Sequence, residues 1–388
     1  MSEGKAALRF VLLLGLVSLF ADVTYEGARS VTGPFLALLG APAHAVGIVA
    51  GAGELLGYAL RLASGYLADR TRQYWVLTFA GYAVNLGAVP LLALADRWPA
   101  AAALIVLERI GKAVRTPARD AMLSHAAYRL GRGWAFGLHE ALDQIGAVAG
   151  PLVVAGVVAA RGSYRAAFAV LVLPALCALV ALAAARLIQA RPRELEVETP
   201  ELRAAGLPRT FWIFLAGAAL MAAGYVDFSL IAFHWGRREL LAPSAIPLYY
   251  GLAMVTDAAA ALLVGRSFDR RGLVVLIWTG LASAASAPLA FLGGPRAAAL
   301  GMIAWGIGMG AQESVVRAAV AGMVPPAQRG AAYGVFNAGY GVCWFLGSAV
   351  MGGLYGISAP ALVLFSVLAQ LGALPLFWRA RAALRGPG

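Results

Sequence analysis

Charge is scarce in this chain. Asp, Glu, Lys and Arg together make up 13% of the 388 residues, against 61% for hydrophobic types. With a mean hydropathy of +0.77, so little charge excludes an ordinary soluble globular domain and leaves a polytopic membrane protein. Cysteine is nearly missing: Cys177 and Cys343 each lie within an apolar run in different halves of the chain, so no disulfide framework is implied and both read as small packing residues. No P-loop, no GxGxxG after a strand and no ATPase motif occurs, which leaves direct use of ATP unsupported. The first apolar run has no A-x-A type cleavage site and carries charges at its core, so it reads as a retained helix and not a signal peptide. Acids are the scarcer sign, 19 against 31 basic residues for a net charge of +12. The basic residues are scattered through short loops and not gathered on one face, which argues against nucleic acid as a partner.

What the chain has is apolar segments of spanning length, at 8–38, 44–68, 75–95, 99–122, 134–160, 164–187, 210–235, 245–267, 273–293, 297–322, 330–356 and 359–378. With the N-terminus placed inside, nineteen basic residues, Arg70, Arg119 and Arg270 among them, fall in loops on that side and six on the other. That asymmetry satisfies the positive-inside rule and predicts twelve helices in the cell membrane with both termini cytoplasmic.

The stretch Gly15 to Leu38 continues the run from Phe10 into one helix of about 30 residues, enough to cross a bilayer of about 30 Å. Near its middle stand Asp22, Glu26 and Arg29. At about 100° per residue, Glu26 lies about 40° one way from Asp22 and Arg29 about 20° the other, so the three share one stripe with Ser18 and Gly33. Lipid contact there would cost roughly 2.5 to 3.5 kcal/mol per charge, so the stripe must face protein or water. Two acids facing one base argue for function over a purely structural salt bridge.

Between the sixth and seventh segments, QARPRELEVETPELRAAGLPR is the only dense charge run and reads as a solvated linker. It predicts an N-terminal six-helix bundle over 1–188, a cytoplasmic linker over 189–209 and a C-terminal bundle over 210–388. The halves repeat. Gly65-Tyr-Leu-Ala-Asp69-Arg70 is answered 200 positions later by Gly265-Arg-Ser-Phe-Asp269-Arg270, and Arg132-Gly-Trp-Ala-Phe-Gly137 is answered 197 later by Arg329-Gly-Ala-Ala-Tyr-Gly334.

On these residues the chain resembles the major facilitator superfamily of secondary transporters over nearly its whole length, and within it the proton-coupled drug and solute antiporter branch. GYLADRTRQ and GRSFDRRG resemble the superfamily's loop signature G-x-x-x-D-R. The resemblance implies that Gly65, Asp69, Arg70, Gly265, Asp269 and Arg270 form the conformational-switch motif. Leu107-Glu-Arg109-Ile-Gly-Lys112-Ala resembles the fourth-helix motif whose arginine is linked to proton transfer. Gly137, Gly146, Gly150 and Pro151 resemble the helix-five signature associated with antiporters, with Val154 and Ala155 where that signature closes on a glycine pair. The resemblance further implies an all-α fold of two pseudo-symmetric six-helix bundles in which helices 1, 4, 7 and 10 line a cavity. Asp22, Glu26, Arg29, Asp227, Glu313 and Arg317 are then expected to converge there.

Charge patterning agrees with that expectation. The spans hold nine acids (Asp22, Glu26, Glu54, Glu108, Glu140, Asp143, Asp227, Asp257, Glu313) against six bases (Arg29, Arg61, Arg109, Lys112, Arg115, Arg317). Surplus acids in low dielectric are proton sites. The expected function is a proton-coupled transporter of a small organic solute, an exporter working by alternating access and not an enzyme. Asp22, Glu26, Arg29, Glu54, Arg61, Arg109, Asp227, Asp257, Glu313 and Arg317 would serve substrate and proton. An importer or facilitator of an anionic metabolite is the alternative within transport. From another class, His139-Glu140-Ala-Leu-Asp143 reads HExxD, near the HExxH of zinc hydrolases, but lacks its second histidine. No cofactor or metal is expected. The expected partners are the solute, protons and the lipid bilayer, with the chain a monomer.

Overall fold

A computed structural model describes residues 3–128, 132–188, 206–325 and 328–384. The linker expected at 189–209 falls mostly outside the described residues. Among those described, the regular structure is helical, with no strand. In the first half the helices are α1 (Glu3–Leu38), α2 (Ala43–Thr71), α3 (Tyr74–Leu91, extended by a 3-10 turn at Leu92–Leu94), α4 (Trp98–Tyr128), α5 (Arg132–Arg161), α6 (Tyr164–Val170) and α7 (Val172–Ile188). In the second they are α8 (Arg209–Gly224), α9 (Phe228–Arg237), α10 (Ala245–Arg271), α11 (Val274–Ala284), α12 (Ser286–Leu292), α13 (Pro295–Met323), α14 (Arg329–Ile357) and α15 (Ala359–Leu384). Because α6 runs into α7, α8 into α9 and α11 into α12, they form twelve rods among the described residues. Ten of these are long and apolar enough to cross a membrane. The other two, α4 and α13, are the rods that carry Glu108, Arg109, Lys112 and Arg115, and Glu313 and Arg317.

The chain divides into two compact units. Unit 1 is Met1–Gly40, Leu56–Thr199 and Pro243–Gly251; unit 2 is Ala41–Leu55, Pro200–Ala242 and Leu252–Gly388. In unit 1, α1 is the spine and packs on α5, α7 and α4, while α3 pairs with α4. The α1–α5 crossing is close because α5 offers glycine where it meets α1. A Cβ on Gly150 would lie 2.6 Å from the Val23 carbonyl oxygen, and one on Gly146 would lie 2.8 Å from the Asp22 Cβ. Small residues let helix backbones approach in a membrane, where no hydrophobic force drives them together. Away from the crossing, Phe35 meets Phe168 edge-on at 4.9 Å.

In unit 2, α8 pairs with α15 and α14, α11 with α15 and α13, and α12 with α13. The sequence predicts one unbroken helix over 210–235; the structure interrupts it at Tyr225–Asp227, between α8 and α9. Side chains satisfy the groups the break exposes. The Gly224 carbonyl accepts from Ser366 Oγ at 2.6 Å and Gln370 Nε2 at 3.1 Å. Trp305 Nε1 donates to the Val226 carbonyl at 2.8 Å, and Tyr225 donates to the Trp305 carbonyl at 2.7 Å. Non-helical backbone at membrane depth persists only where protein or a cavity supplies such partners.

Leu173, Val180, Leu262, Trp278 and Leu364 are all at least 60% exposed, while Asp22, Glu26, Arg115 and Asp227 are buried. Apolar outside and charged inside is the distribution that lipid as solvent selects.

Candidate functional site

Asp22 and Glu26 occupy successive turns of α1, and both side chains are buried. Tyr25 donates its hydroxyl to Asp22, and its ring lies beneath the Lys112 ammonium at 3.8 Å. Glu26 is the hub: it accepts from Tyr250 at 2.5 Å, meets Lys112 at 3.7 Å and Arg29 at 4.0 Å. Tyr250 arrives on the first turns of α10, the part of that helix that belongs to unit 1. One turn below Lys112 on α4, Glu108 pairs with Arg109 at 3.3 Å and accepts from Asn85 at 2.7 Å. One turn above, Arg115 is 1% exposed and stacks at 4.1 Å on Tyr82, with its Nε and Nη1 lacking hydrogen-bond partners. Among the described residues the cations within 4.0 Å, Lys112 and Arg29, are those of Glu26, while Asp22 feels Lys112 only from farther off. One carboxylate of the stripe is therefore neutralised by fixed charge and the other is held by a hydroxyl.

Unit 2 presents its counterpart at the helix break. Asp227, buried, accepts from Ser348 Oγ and, at 3.3 Å, from Trp344 Nε1. Tyr225, Trp305, Trp344 and Tyr340 form a continuous aromatic wall beside it, with centroids 5.1 to 5.6 Å apart. Tyr340 donates to Gln312 at 2.5 Å. Asp257 is buried on α10, where glycines let α13 approach: a Cβ on Gly310 would lie 2.5 Å from the Asp257 carbonyl oxygen. Interrupted helices that expose backbone groups at depth are a recurring way to build binding sites in secondary transporters. The aromatic wall and the break went unseen in the sequence; Gly224 inside an apolar run was the available signal.

The remaining expected charged residues, where their side chains are described, are less buried than Asp22, Glu26 and Asp227. Glu54 and Arg61 are half-buried on α2, with Arg61 above the Tyr58 ring at 5.9 Å. Glu313 is exposed on α13, and the Arg317 side chain lies outside the described residues. The two G-x-x-x-D-R stretches close α2 and α10 alike. Asp69 accepts from Tyr74 at 3.4 Å, Arg70 donates to Tyr66 at 3.1 Å, and Asp269 and Arg270 are exposed. Gly65 faces Pro117, and Gly265 faces Ser314, each at ordinary contact distance. Gly146 and Gly150 belong to the α1–α5 crossing, Pro151 is buried and faces Gly251 of α10, and Gly137 has nothing within 4 Å of an added Cβ.

Two corrections follow. Arg119, expected in a cytoplasmic loop, sits within α4 with its side chain 11% exposed and donates to Ser18 Oγ at 2.9 Å. The zinc-hydrolase alternative loses its geometric basis, because His139 is buried while Glu140 is exposed, and among the described residues no three His, Cys, Asp or Glu side chains gather as ligands.

Residues 14–348 match the profile of the Major Facilitator Superfamily. An uncharacterised protein of Mycobacterium tuberculosis (strain ATCC 25618 / H37Rv) is 43% identical over 383 residues, 97% of this chain and 94% of its own length. An uncharacterised MFS-type transporter of Methanocaldococcus jannaschii is 32% identical over 141 residues, 36% of this chain and 35% of its own length. Among solved structures, the nucleoside transporter NupG superposes with a TM-score of 0.76 at 14% identity, covering 97% of this chain and 100% of that one. A peptide transporter POT in complex with alafosfalin superposes with a TM-score of 0.76 at 15% identity, covering 99% and 98%. At such identities the likeness is one of fold.

Proposed function

The chain belongs to the Major Facilitator Superfamily and is a secondary transporter of a small molecule across a membrane, and from that premise we propose that it is driven by protons and exports an organic solute from the cell. The observation that carries the proposal is the unequal pair on α1. Glu26 is bound by Lys112, Arg29 and Tyr250, whereas Asp22, 7% exposed, has no cation within 4.0 Å among the described residues. A buried carboxyl whose nearest cation, here Lys112, is paired with another acid takes up a proton when its surroundings dry and releases one when water enters. Opening the site to each side in turn then carries protons one way as solute moves the other. Asp22 is assigned the proton, and Glu26, Arg29, Lys112 and Arg109 the charge balance that responds to it. Asp227 and Asp257 are assigned the corresponding role in unit 2, with Glu54, Arg61, Glu313 and Arg317 in support. The Asp69–Arg70 and Asp269–Arg270 stretches are assigned to conformational switching. The domain boundaries proposed are 1–188 and 210–388, with the chain acting as a monomer.

A second reading has its own support. Arg115 is buried with two nitrogens unbonded, beside Lys112 on the same helix, and such cations would suit import or facilitated passage of an anionic metabolite. Thermal stabilisation across a panel of cationic drugs, neutral solutes and anionic metabolites separates the two, since a ligand of the folded state raises its stability by mass action. With the stabilising compound in hand, flux in proteoliposomes under an imposed pH gradient tests the coupling. Flux that ignores the gradient overturns proton drive.

A further inference from the structure

One face of α4 sets Glu108, Lys112, Arg115 and Arg119 on successive turns. Glu108 pairs with Arg109 at 3.3 Å, Lys112 meets Glu26 at 3.7 Å, and Arg119 meets Asp120 at 2.8 Å. Arg115, 1% exposed, has no carboxylate within 4.0 Å among the described residues, and its Nε and Nη1 are buried without hydrogen-bond partners. Glycine puts the guanidinium where it is. A Cβ on Gly81 would lie 2.6 Å from the Arg115 backbone nitrogen, and one on Gly111 would overlap the backbone of Asn85, so α3 lies directly on α4 and holds the Tyr82 ring 4.1 Å from the Arg115 guanidinium carbon. The Tyr25 ring stands 5.7 Å away on the α1 side. Ring faces attract the cation, but they offer no lone pair to the N–H groups along its edge. The Tyr25 hydroxyl is committed to Asp22. The Tyr82 hydroxyl, and Thr78 Oγ1 one turn earlier on the same face of α3, are buried and unpartnered.

We propose that Arg115 and Tyr82 form the binding site for the carboxylate of a singly charged organic anion. The proposal rests on the second reading above, passage of an anionic metabolite, and names the group recognised and the residues that recognise it. A buried polar group is stable when hydrogen-bonded and a buried charge when it is also paired, and a carboxylate gives Arg115 both at once. Its two oxygens lie in a plane and match the guanidinium fork, while the Tyr82 hydroxyl adds a donor from α3. The charge count sets the valence. Lys112 and Arg119 are balanced by Glu26 and Asp120, which leaves Arg115 as the surplus cation of the α4 face. A dianion would bring a second charge with nothing to meet it in low dielectric. Because Arg115 is 1% exposed, the site opens only in part of the transport cycle, and the anion reaches it past Lys112, whose side chain is 22% exposed one turn away.

Purified full-length protein in detergent is unfolded by heat in sodium acetate, benzoate, succinate, chloride or phosphate, all at one pH and ionic strength. The wild type is expected to gain a saturable stabilisation from acetate and benzoate, and a weaker one from succinate. Tyr82→Phe, which keeps the ring and loses only the hydroxyl, is expected to bind both monocarboxylates about tenfold more weakly. Arg115→Lys, which keeps the charge and loses the fork, is expected to weaken them about tenfold as well. Arg115→Gln is expected to lose the effect, and the tyrosine and lysine variants carry the test should it not fold. Stabilisation by chloride or phosphate alone overturns the carboxylate, and tighter binding of succinate overturns the single charge. Carboxylate stabilisation that survives unchanged in every variant overturns the site while leaving the anionic reading intact; no stabilisation by any of the five anions overturns the site as well. Binding that depends on Arg115, with no flux of the bound carboxylate in proteoliposomes above that of protein-free vesicles, upholds the site and overturns the reading.

Discussion

Arg72 and Gly272 end the two helices that carry the repeated G-x-x-x-D-R stretches, and both adopt positive φ, 54° and 63°. Each donates its backbone N–H to the residue four before it, Ala68 at 2.8 Å and Phe268 at 2.7 Å. The left-handed conformation costs a residue with a Cβ about 1 to 2 kcal/mol and glycine little. Arg72→Gly is therefore expected to raise stability by about 1 kcal/mol, and Gly272→Ala to lower it by a similar amount, in denaturant titrations in detergent. Tyr250→Phe removes a hydrogen bond to the buried Glu26 carboxylate and is expected to cost roughly 1.5 to 3 kcal/mol on the same scale. At this scale the stripe of Asp22, Glu26 and Arg29 was legible because helical periodicity alone places three residues on one face. Tyr250 was not, since it stands 224 positions from Glu26 and only tertiary structure joins them. Arg119 was misplaced for a related reason: a charge near the end of an apolar run reads as a loop until the helix is seen to continue to Tyr128.

Helix against helix, glycine placement decides how deeply the site is set. Gly150 and Gly146 bring α5 against α1 so closely that no side chain fits between them, which seats Asp22 beside the helix that carries Asp143 and His139. In the sequence these glycines resemble an antiporter signature, and the geometry shows close helix packing at Gly146 and Gly150. Gly150→Leu must push two backbones apart and is expected to cost more than about 3 kcal/mol, with loss of the monodisperse protein in size-exclusion chromatography. Gly137→Ala, with nothing within 4 Å of the added carbon, is expected to behave as wild type; equal damage from both would deny the crossing its role. The break between α8 and α9 escaped prediction because its cause is remote. Tyr225–Asp227 leave the helix while Ser366, Gln370 and Trp305, from α15 and α13, supply the lost hydrogen bonds. Local composition shows one glycine there, and a single glycine is tolerated in many membrane helices.

For the whole molecule, composition and loop charge were enough to read twelve rods and an all-helical fold, because the bilayer admits few alternatives to spanning helices. Cargo was not legible, since the fold is shared by transporters as different as those for nucleosides and for peptides. Coupling lies between the two and can be predicted from one residue. If Asp22 must shed and regain a proton in each cycle, Asp22→Asn keeps the size and most hydrogen bonds of the side chain but loses the titration. Solute exchange down its own gradient, which needs only the site and its opening to each side, is expected to survive at near wild-type rate. Uphill accumulation driven by a pH gradient is expected to fall to background. Both are measured in the same proteoliposomes, with the ligand first identified by thermal stabilisation. Loss of both activities would make Asp22 part of solute binding. Retention of both would move the proton to another carboxyl, with Asp227 and Asp257, buried in unit 2, next to be substituted.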